Sequence, residues 1–565
     1  MSVPAIERRT DPRRGLAVRV GLTLTATGIA SAAIDRRSLA GVGADVPLAV
    51  GFGLFIAILL LATLRRPPRG ATWLALASFS LIYLLAATEL ATSLEGMVLY
   101  LLLALAATLA TAPHLRPLMV AAFALWTPAL WLFGPTTALE QVPVELRVAA
   151  VAALAFTIIA VADPRRTHPS DRLRHIGYGL LAISCVGASI GRSLVVASVS
   201  VTPGQVLALI AAIGLPLLSY VRMRPASRET IATGLALATL AFVGLAYIVG
   251  KPYHTDVVAA EHHAAELLVA GQDPYASFDL PDALARFHLD PQLATHLENG
   301  NVVHTYNYPA VSFLIIAPVV WLGVDDIRWF YLVEVMLIGA IAVQQLRPAW
   351  RSMALATVIG SEIVTRQWIL AGIDPSWALF TLGAWLLRRH RWASAILLGL
   401  AIGDRQPAWF VAPFFLLAIF QRFGRAEAVR RAAIALGVAV AVNLPFVIGA
   451  PDRAIGGMLA PLFAPLVSDG VGLMRYGADG VVPLFPRSFY TVLSLIAVLG
   501  LLILLWRRPR DLAGAPLAWP FLPLYFAWRS LQNYFASAPL FALVSDEELE
   551  NDRDETRPME TIARE

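Results

Sequence analysis

Long apolar runs alternate along this chain with short arginine clusters, and that alternation limits what it can fold into. The clusters stand at Arg8, Arg9, Arg13 and Arg14, at Arg65, Arg66 and Arg69, at Arg116, at Arg165, Arg166, Arg172 and Arg174, and at Arg222, Arg224 and Arg228. The runs between them are about 17–20 residues long, enough to cross a bilayer as a helix. Composition agrees: 58% of residues are hydrophobic, 15% are charged and the mean hydropathy is +0.67. A soluble chain carries about 25% charged residues. A soluble enzyme, a disordered chain and a fibrous protein are excluded, and an all-α polytopic membrane protein is expected.

The spans read as 15–34, 46–64, 72–91, 96–111, 118–134, 147–162, 176–195, 204–221 and 231–249. The first is read as an uncleaved span rather than a signal peptide. The positive-inside rule puts the N-terminus and every second loop in the cytoplasm, with Arg36 and Arg37 as the exception. The single cysteine, Cys185, rules out an intrachain disulfide. The arginines are scattered over short loops rather than gathered on one face, which argues against a nucleic-acid partner.

Residues 251–309 form the longest polar stretch between spans and are expected outside the cytoplasm. They hold six of the ten histidines (His254, His262, His263, His288, His296 and His304) and eight acidic residues. Thr255 or Asp256 can cap a helix running to about Ala270 and stopped by Gly271, which could lie along the membrane surface. Asp279 and Pro281 open a second short helix ending near His288.

Further spans are expected at 310–324, 328–345, 352–370, 374–388, 392–403, 408–421, 432–449, 488–506 and 513–530. Counted as crossings, they leave Arg388, Arg389 and Arg391 on the outer side, so part of 310–388 should be re-entrant or very short. The polar run Ser361, Glu362, Thr365, Arg366 and Gln367 is the suspect. Residues 450–487 are expected to form a second outer loop, and the acidic tail 541–565 to be disordered.

Asp256 emerges just past the ninth span. A carboxylate there can serve as a general base toward a hydroxyl, and the same spacing suits a helix-capping aspartate. Lys251, Arg405 and Arg529 fall at or near the outer surface, at the depth of a lipid phosphate, where cations bind phosphate or simply anchor helix ends. His262 and Glu266 share a helix face, but no compact metal-binding signature is present, so no metal site is assigned.

The outer aspartate, its alanine-rich helix, Gly271-Gln272-Asp273-Pro274-Tyr275 and Tyr306-Asn307-Tyr308-Pro309 follow one another in order. Then come Gly372-Ile373-Asp374-Pro375, Arg388-Arg389-His390-Arg391, the segment Gly399 to Pro407 and Asn443-Leu444-Pro445-Phe446. In this order the motifs resemble membrane glycosyltransferases of the GT-C type, most closely glycosyltransferase family 87, over residues 231–540. The resemblance implies a GT-C-like bundle with a large first extracytoplasmic loop, here preceded by about eight extra helices in residues 1–230. It implies a multi-pass protein of the plasma membrane that transfers a hexose, mannose for example, from a polyprenyl-phosphate carrier to a glycan, glycolipid or protein acceptor.

Asp256 matches the position of the family's first-loop catalytic aspartate. Lys251, His254, Asp273, Tyr275, His304, Tyr308, Arg405 and Arg529 are the candidate substrate-binding residues. No cofactor is expected; a divalent ion is compatible with the chemistry but not required by it. Two other functions fit the sequence: a transporter or flippase, which would use Glu334, Glu362 and Arg366 within spans, and a polysaccharide polymerase or ligase.

Overall fold

A computed structural model of the chain describes most of residues 203–545 and part of a stretch between 174 and 185. Six of the expected early spans and most of a seventh lie outside the described residues. So do the run Ser361 to Gln367, the motif Gly372 to Asp374 and the tail from 546.

The described chain is mostly helical. It opens with α1 (Pro203–Leu218) and α2 (Pro225–Ile248), which pack side by side. Proline at the first position starts α2, where its missing N–H costs nothing. The polar stretch that follows folds into α3 (Asp256–Val269), α4 (Pro274–Ser277) and α5 (Leu280–Arg286). Two one-turn helices come next, α6 (Val311–Leu314) and α7 (Ala317–Trp321), then α8 (Arg328–Gln345) and α9 (Pro348–Ile359). After α10 (Ser376–Leu386) and α11 (Arg391–Ile402) come α12 (Pro407–Phe423) and the long α13 (Arg425–Gly449). The last third holds α14 (Pro451–Met458), α15 (Ala460–Phe463), β1 (Asp469–Gly470), α16 (Leu473–Ala478) and α17 (Arg487–Arg507). It closes with α18 (Phe521–Leu524), β2 (Arg529–Ser530) and α19 (Ala538–Val544).

Among the described residues three helices, α2, α13 and α17, are long and apolar enough to cross a membrane. In α13 and α17 only 11% and 22% of the most apolar stretch is buried inside the protein. Leu436, Ile448, Ile496 and Leu499 stand exposed on them. In water so large an apolar face would drive association, whereas lipid covers it at no cost.

Two ends of the bundle can be told apart by their polar contacts. At the arginine end, Glu427 accepts from Arg391 and Arg431, each at 2.9 Å, and Arg431 also donates to the Arg388 carbonyl at 2.6 Å. Arg431 is buried, and the Phe423 ring lies 5.0 Å from its guanidinium carbon. At the loop end, Arg328 ties the start of α8 to the end of α2. It donates to the carbonyls of Ile248, Lys251 and Pro252, pairs with Asp326 at 2.7 Å and stacks on Tyr253. The carbonyls left open at the C-terminus of α2 thus find a cation, where the helix dipole favours one.

These two ends locate the re-entrant segment. The N–H of Ala310 donates to Asn443 Oδ1 and that of Val311 to the Gly403 carbonyl, both at the loop end. After α6 and α7 the chain is back at that end, where the Ile327 N–H donates to the Tyr253 hydroxyl. Residues 310–324, expected as a span, therefore form a short hairpin that returns to the end it left. With that hairpin discounted, α8, α9 and α10 bring Arg388 to the arginine end.

Residues 516–530, the described part of the expected span 513–530, do not form one helix. Pro516, Pro520 and Pro523 interrupt it. The chain turns through 516–520, makes the single turn α18 and then pairs β2 in parallel with β1, Asp469 opposite Arg529. Helix α3 begins and ends where expected but is not a surface helix. Val258, Ala259, Ala264 and Ala265 are buried, and it packs against α4, α5, α6 and α7. Gly271, at φ +78°, supplies the left-handed residue that ends it.

The two polar loops interlock. Residues 295–303 form a small hairpin, with the Val303 N–H donating to the Thr295 carbonyl. The 465–467 segment pairs along its edge through Glu298 N–H to Pro465 O at 2.7 Å and Val467 N–H to His296 O at 3.1 Å.

Helices α11 and α13 touch where Gly399 leaves no side chain. A Cβ there would lie 2.5 Å from the Ala435 carbonyl oxygen and 2.7 Å from the Val438 Cβ. Gly399→Ala is expected to lower stability by about 1–3 kcal/mol, the usual cost of overpacking. Thermal unfolding in detergent, with Gly437→Ala as the control at an open position, checks this.

Candidate functional site

The start of α3 is built to hold Asp256. Thr255 takes the N-cap position with extended backbone, and Asp256 is the first helical residue. Its carboxylate crosses to the 295–303 hairpin, where Oδ2 accepts both the Thr295 N–H at 3.1 Å and the Thr295 hydroxyl at 2.6 Å. Burial pushes the carboxyl pKa above the ordinary aspartate value. The Thr295 hydrogen bonds, the charge of Arg529 and the Val257 backbone N–H oppose that rise without cancelling it.

Beside this carboxylate opens a cleft, part of it open to solvent, lined by residues from six separated stretches. Val257 and Thr295 form one wall and Asn307 with Tyr308 another; Arg405 to Pro407 form a third. Pro461, Leu466 and the run Arg529 to Tyr534 complete it. Asp256 is thus one hydrogen bond behind the cleft wall, through Thr295.

Arg405 is the deepest charge in the wall. It is 2% exposed and ion-pairs with Glu261, which is 0% exposed. The Tyr331 hydroxyl donates to the other oxygen of Glu261. The guanidinium also lies over the Tyr308 ring, 3.7 Å from its centroid. A buried cation needs such compensation, because desolvation alone would expel it or strip its proton.

Arg529 is held more loosely, with Asp469 at 3.8 Å and the Val467 carbonyl at 3.4 Å. The charges of both arginines act on the Tyr534 hydroxyl. The cleft therefore presents a fixed cation, a looser cation and a phenol on one side, with a carboxylate behind the other. An anion with an attached polar group fits that distribution of charge.

The structure brings Tyr308, Arg405 and Arg529 to this one cleft and sets Asp256 behind its wall, on Thr295. The other candidates are placed elsewhere. Tyr275 is buried beneath it and donates to the Tyr308 carbonyl at 2.6 Å. Asp273 caps α4 by accepting the Tyr275 N–H at 2.9 Å. His304 pairs with Asp279 at 2.5 Å on the exposed side of the loop. Lys251 and His254 are exposed, and the Lys251 carbonyl serves Arg328.

Of the remaining loop histidines, His262 stacks on Phe287 and bonds the Tyr253 hydroxyl at 2.9 Å, and burial lowers its pKa. Among the described residues no three His, Cys, Asp or Glu side chains gather closely enough to hold a metal ion.

Three residues enter the site that the sequence does not announce. Glu261 is one acid among eight in its loop; a buried Arg405 calls for a carboxylate, yet nothing in the spacing selects this one. Thr295 and Tyr534 carry no motif at all.

No protein-family model, curated protein or solved structure matches this chain.

The Glu261–Arg405 pair yields a stability test. Glu261→Ala strands a buried guanidinium, and Arg405→Ala strands a buried carboxylate. Each is expected to cost about 3–5 kcal/mol, whereas the double variant Glu261→Gln with Arg405→Met should lose less than either. Unfolding midpoints of the three variants in one detergent measure the order.

Proposed function

We propose that this chain is a membrane glycosyltransferase of the GT-C type, which moves a hexose from a polyprenyl-phosphate carrier to a hydroxyl acceptor on the extracytoplasmic side. The observation that carries the reading is one cleft lined by Arg405, Arg529, Tyr308 and Tyr534, with the Asp256 carboxylate one hydrogen bond behind its wall through Thr295. The cleft lies among the interlocked polar loops at one end of an apolar bundle, which supports a donor whose phosphate is carried by lipid.

In this reaction the acceptor oxygen attacks the anomeric carbon while its proton passes to Asp256. The bond from that carbon to the phosphate oxygen breaks, and the polyprenyl phosphate leaves with the electron pair. A single displacement inverts the anomeric configuration. Arg529 is the cation free to follow the departing phosphate. Arg405, locked by Glu261 and Tyr308, forms a fixed part of the wall that meets the developing charge without reorganising. The raised pKa of Asp256 strengthens it as a base, at the cost of an ionised fraction that falls earlier on acidification.

Glu334 supports a second reading, a proton-coupled transporter. It is buried in α8, where it accepts from the Ser376 hydroxyl at 2.9 and 2.8 Å, and buried acids within spans mark proton paths. Solute uptake by reconstituted vesicles that fails in Glu334→Gln and persists in Asp256→Asn favours that reading.

With polyprenyl-phosphate mannose as donor in reconstituted vesicles and a panel of glycosides as acceptors, Asp256→Asn is expected to lower transfer by about 10²–10⁴-fold. Transfer at the wild-type rate in that variant refutes the mechanism. Arg529→Ala should weaken use of the donor and raise its KM.

The pH dependence has a defined sign. The base must be ionised, so the rate falls as pH drops through the Asp256 pKa, and the acid limb lies above the ordinary aspartate range. Neutralising Arg529 moves the limb higher still, because its charge lowers that pKa.

A further inference from the structure

Thr295 is the point at which the cleft wall reaches Asp256, and its geometry is one-sided. Both of its donors fall on the same carboxylate oxygen, Oδ2, at 3.1 and 2.6 Å. An ionised carboxylate only accepts, so the threonine hydroxyl has to donate and its rotor is fixed.

The backbone donor is fixed as well. The Thr295 carbonyl accepts the Val303 N–H at 2.9 Å, and the next carbonyl, that of His296, accepts the Val467 N–H at 3.1 Å. The 465–467 segment is held in turn by Trp528, whose indole N–H donates to the Leu466 carbonyl at 2.8 Å. Two loops and the segment before β2 therefore converge on the orientation of one threonine. Val257, next to the aspartate, lines the cleft as Thr295 does, and the charge that bears on the carboxylate comes from Arg529.

We propose that Thr295 is a positioning residue that anchors the Asp256 carboxylate by Oδ2 and leaves Oδ1 as the oxygen that takes the acceptor's proton. The role of Oδ1 rests on the glycosyl-transfer reading; the anchoring does not. A carboxylate on the first residue of a helix otherwise turns about two side-chain bonds. Two hydrogen bonds to one oxygen stop that rotation, and the Val257 backbone N–H also bears on the carboxylate. Preorganisation of this kind counts because small displacements of a catalytic group are expensive in rate.

Labelling by dicyclohexylcarbodiimide, which reacts with protonated carboxyls in apolar surroundings, tests the anchoring without any substrate. The full chain in vesicles is labelled across a pH series, and the modification at Asp256 is read by mass spectrometry, with Asp256→Asn as the blank. Thr295→Val removes the hydroxyl bond to the ionised form, so half-labelling is expected to move up by about one pH unit. Thr295→Ser, which restores the hydroxyl, should label as the wild type does. Thr295→Ala removes the same bond without added bulk and gives the same shift should the valine variant not fold.

Half-labelling at the wild-type pH in both Thr295→Val and Thr295→Ala overturns the proposal, as does an Asp256 that resists label at every pH. Transfer from polyprenyl-phosphate mannose forms a separate arm. An active Asp256→Asn overturns the glycosyl-transfer reading and the Oδ1 role while the labelling still measures the anchor. A silent Asp256→Asn with unshifted labelling in the threonine variants overturns the anchor alone.

Discussion

A guanidinium lies almost out of reach of solvent in the wall of the cleft, and the surrounding architecture follows from the need to keep it charged there. Arg405 sits in the turn between α11 and α12, where it can be approached from several directions. Glu261 reaches it from the second turn of α3, Tyr331 completes Glu261 from the first turn of α8, and Tyr308 offers its ring face from the return of the first polar loop. Each partner belongs to a different element, so the pair can form only when these elements have docked. A buried ion pair adds little to net stability, but it penalises arrangements that leave one charge alone. Here it selects one packing of α3 against the bundle.

That packing explains how a polar stretch of this length becomes ordered. Alanines on α3 let it lie close to α6 and α7, and an aromatic cluster of Tyr275, Tyr306, Phe313 and Phe446 fills the space beneath, with ring centroids 5.0–5.9 Å apart. Tyr275 then carries the order upward through its hydroxyl to the Tyr308 carbonyl. The residues that bear on the site are thus supported from below by apolar packing and from the side by the second polar loop.

Much of this was legible in the sequence where local chemistry decides structure. The start of α3 at Thr255 and Asp256, its stop at Gly271 and the start of α5 at Asp279 follow from capping and turn preferences that act within a few residues. The limits of α8, α11 and α17 follow from apolar length in the same way. Tyr308, Arg405 and Arg529 share a cleft with Asp256 just behind its wall, and each carried a sequence reason to be considered. The failures are non-local. Apolar content alone cannot separate the hairpin of α6 and α7 from a crossing, because the contacts that hold its start come from Asn443 and Gly403, about a hundred residues away. Residues 513–530 are apolar enough for a span, but three prolines and the pairing of Arg529 with Asp469 outweigh composition. Thr295 meets Asp256 only because two loops interlock, and no periodicity encodes that.

The hairpin of α6 and α7 has a consequence for the rest of the chain. Since it comes back to the side it started from, it fixes the orientation of everything downstream, including the segment that contributes Arg529 to the cleft. A modest insertion that let it run through would turn α8 over and carry that arginine to the opposite face. The number of residues in this hairpin therefore matters to the architecture as much as their identities.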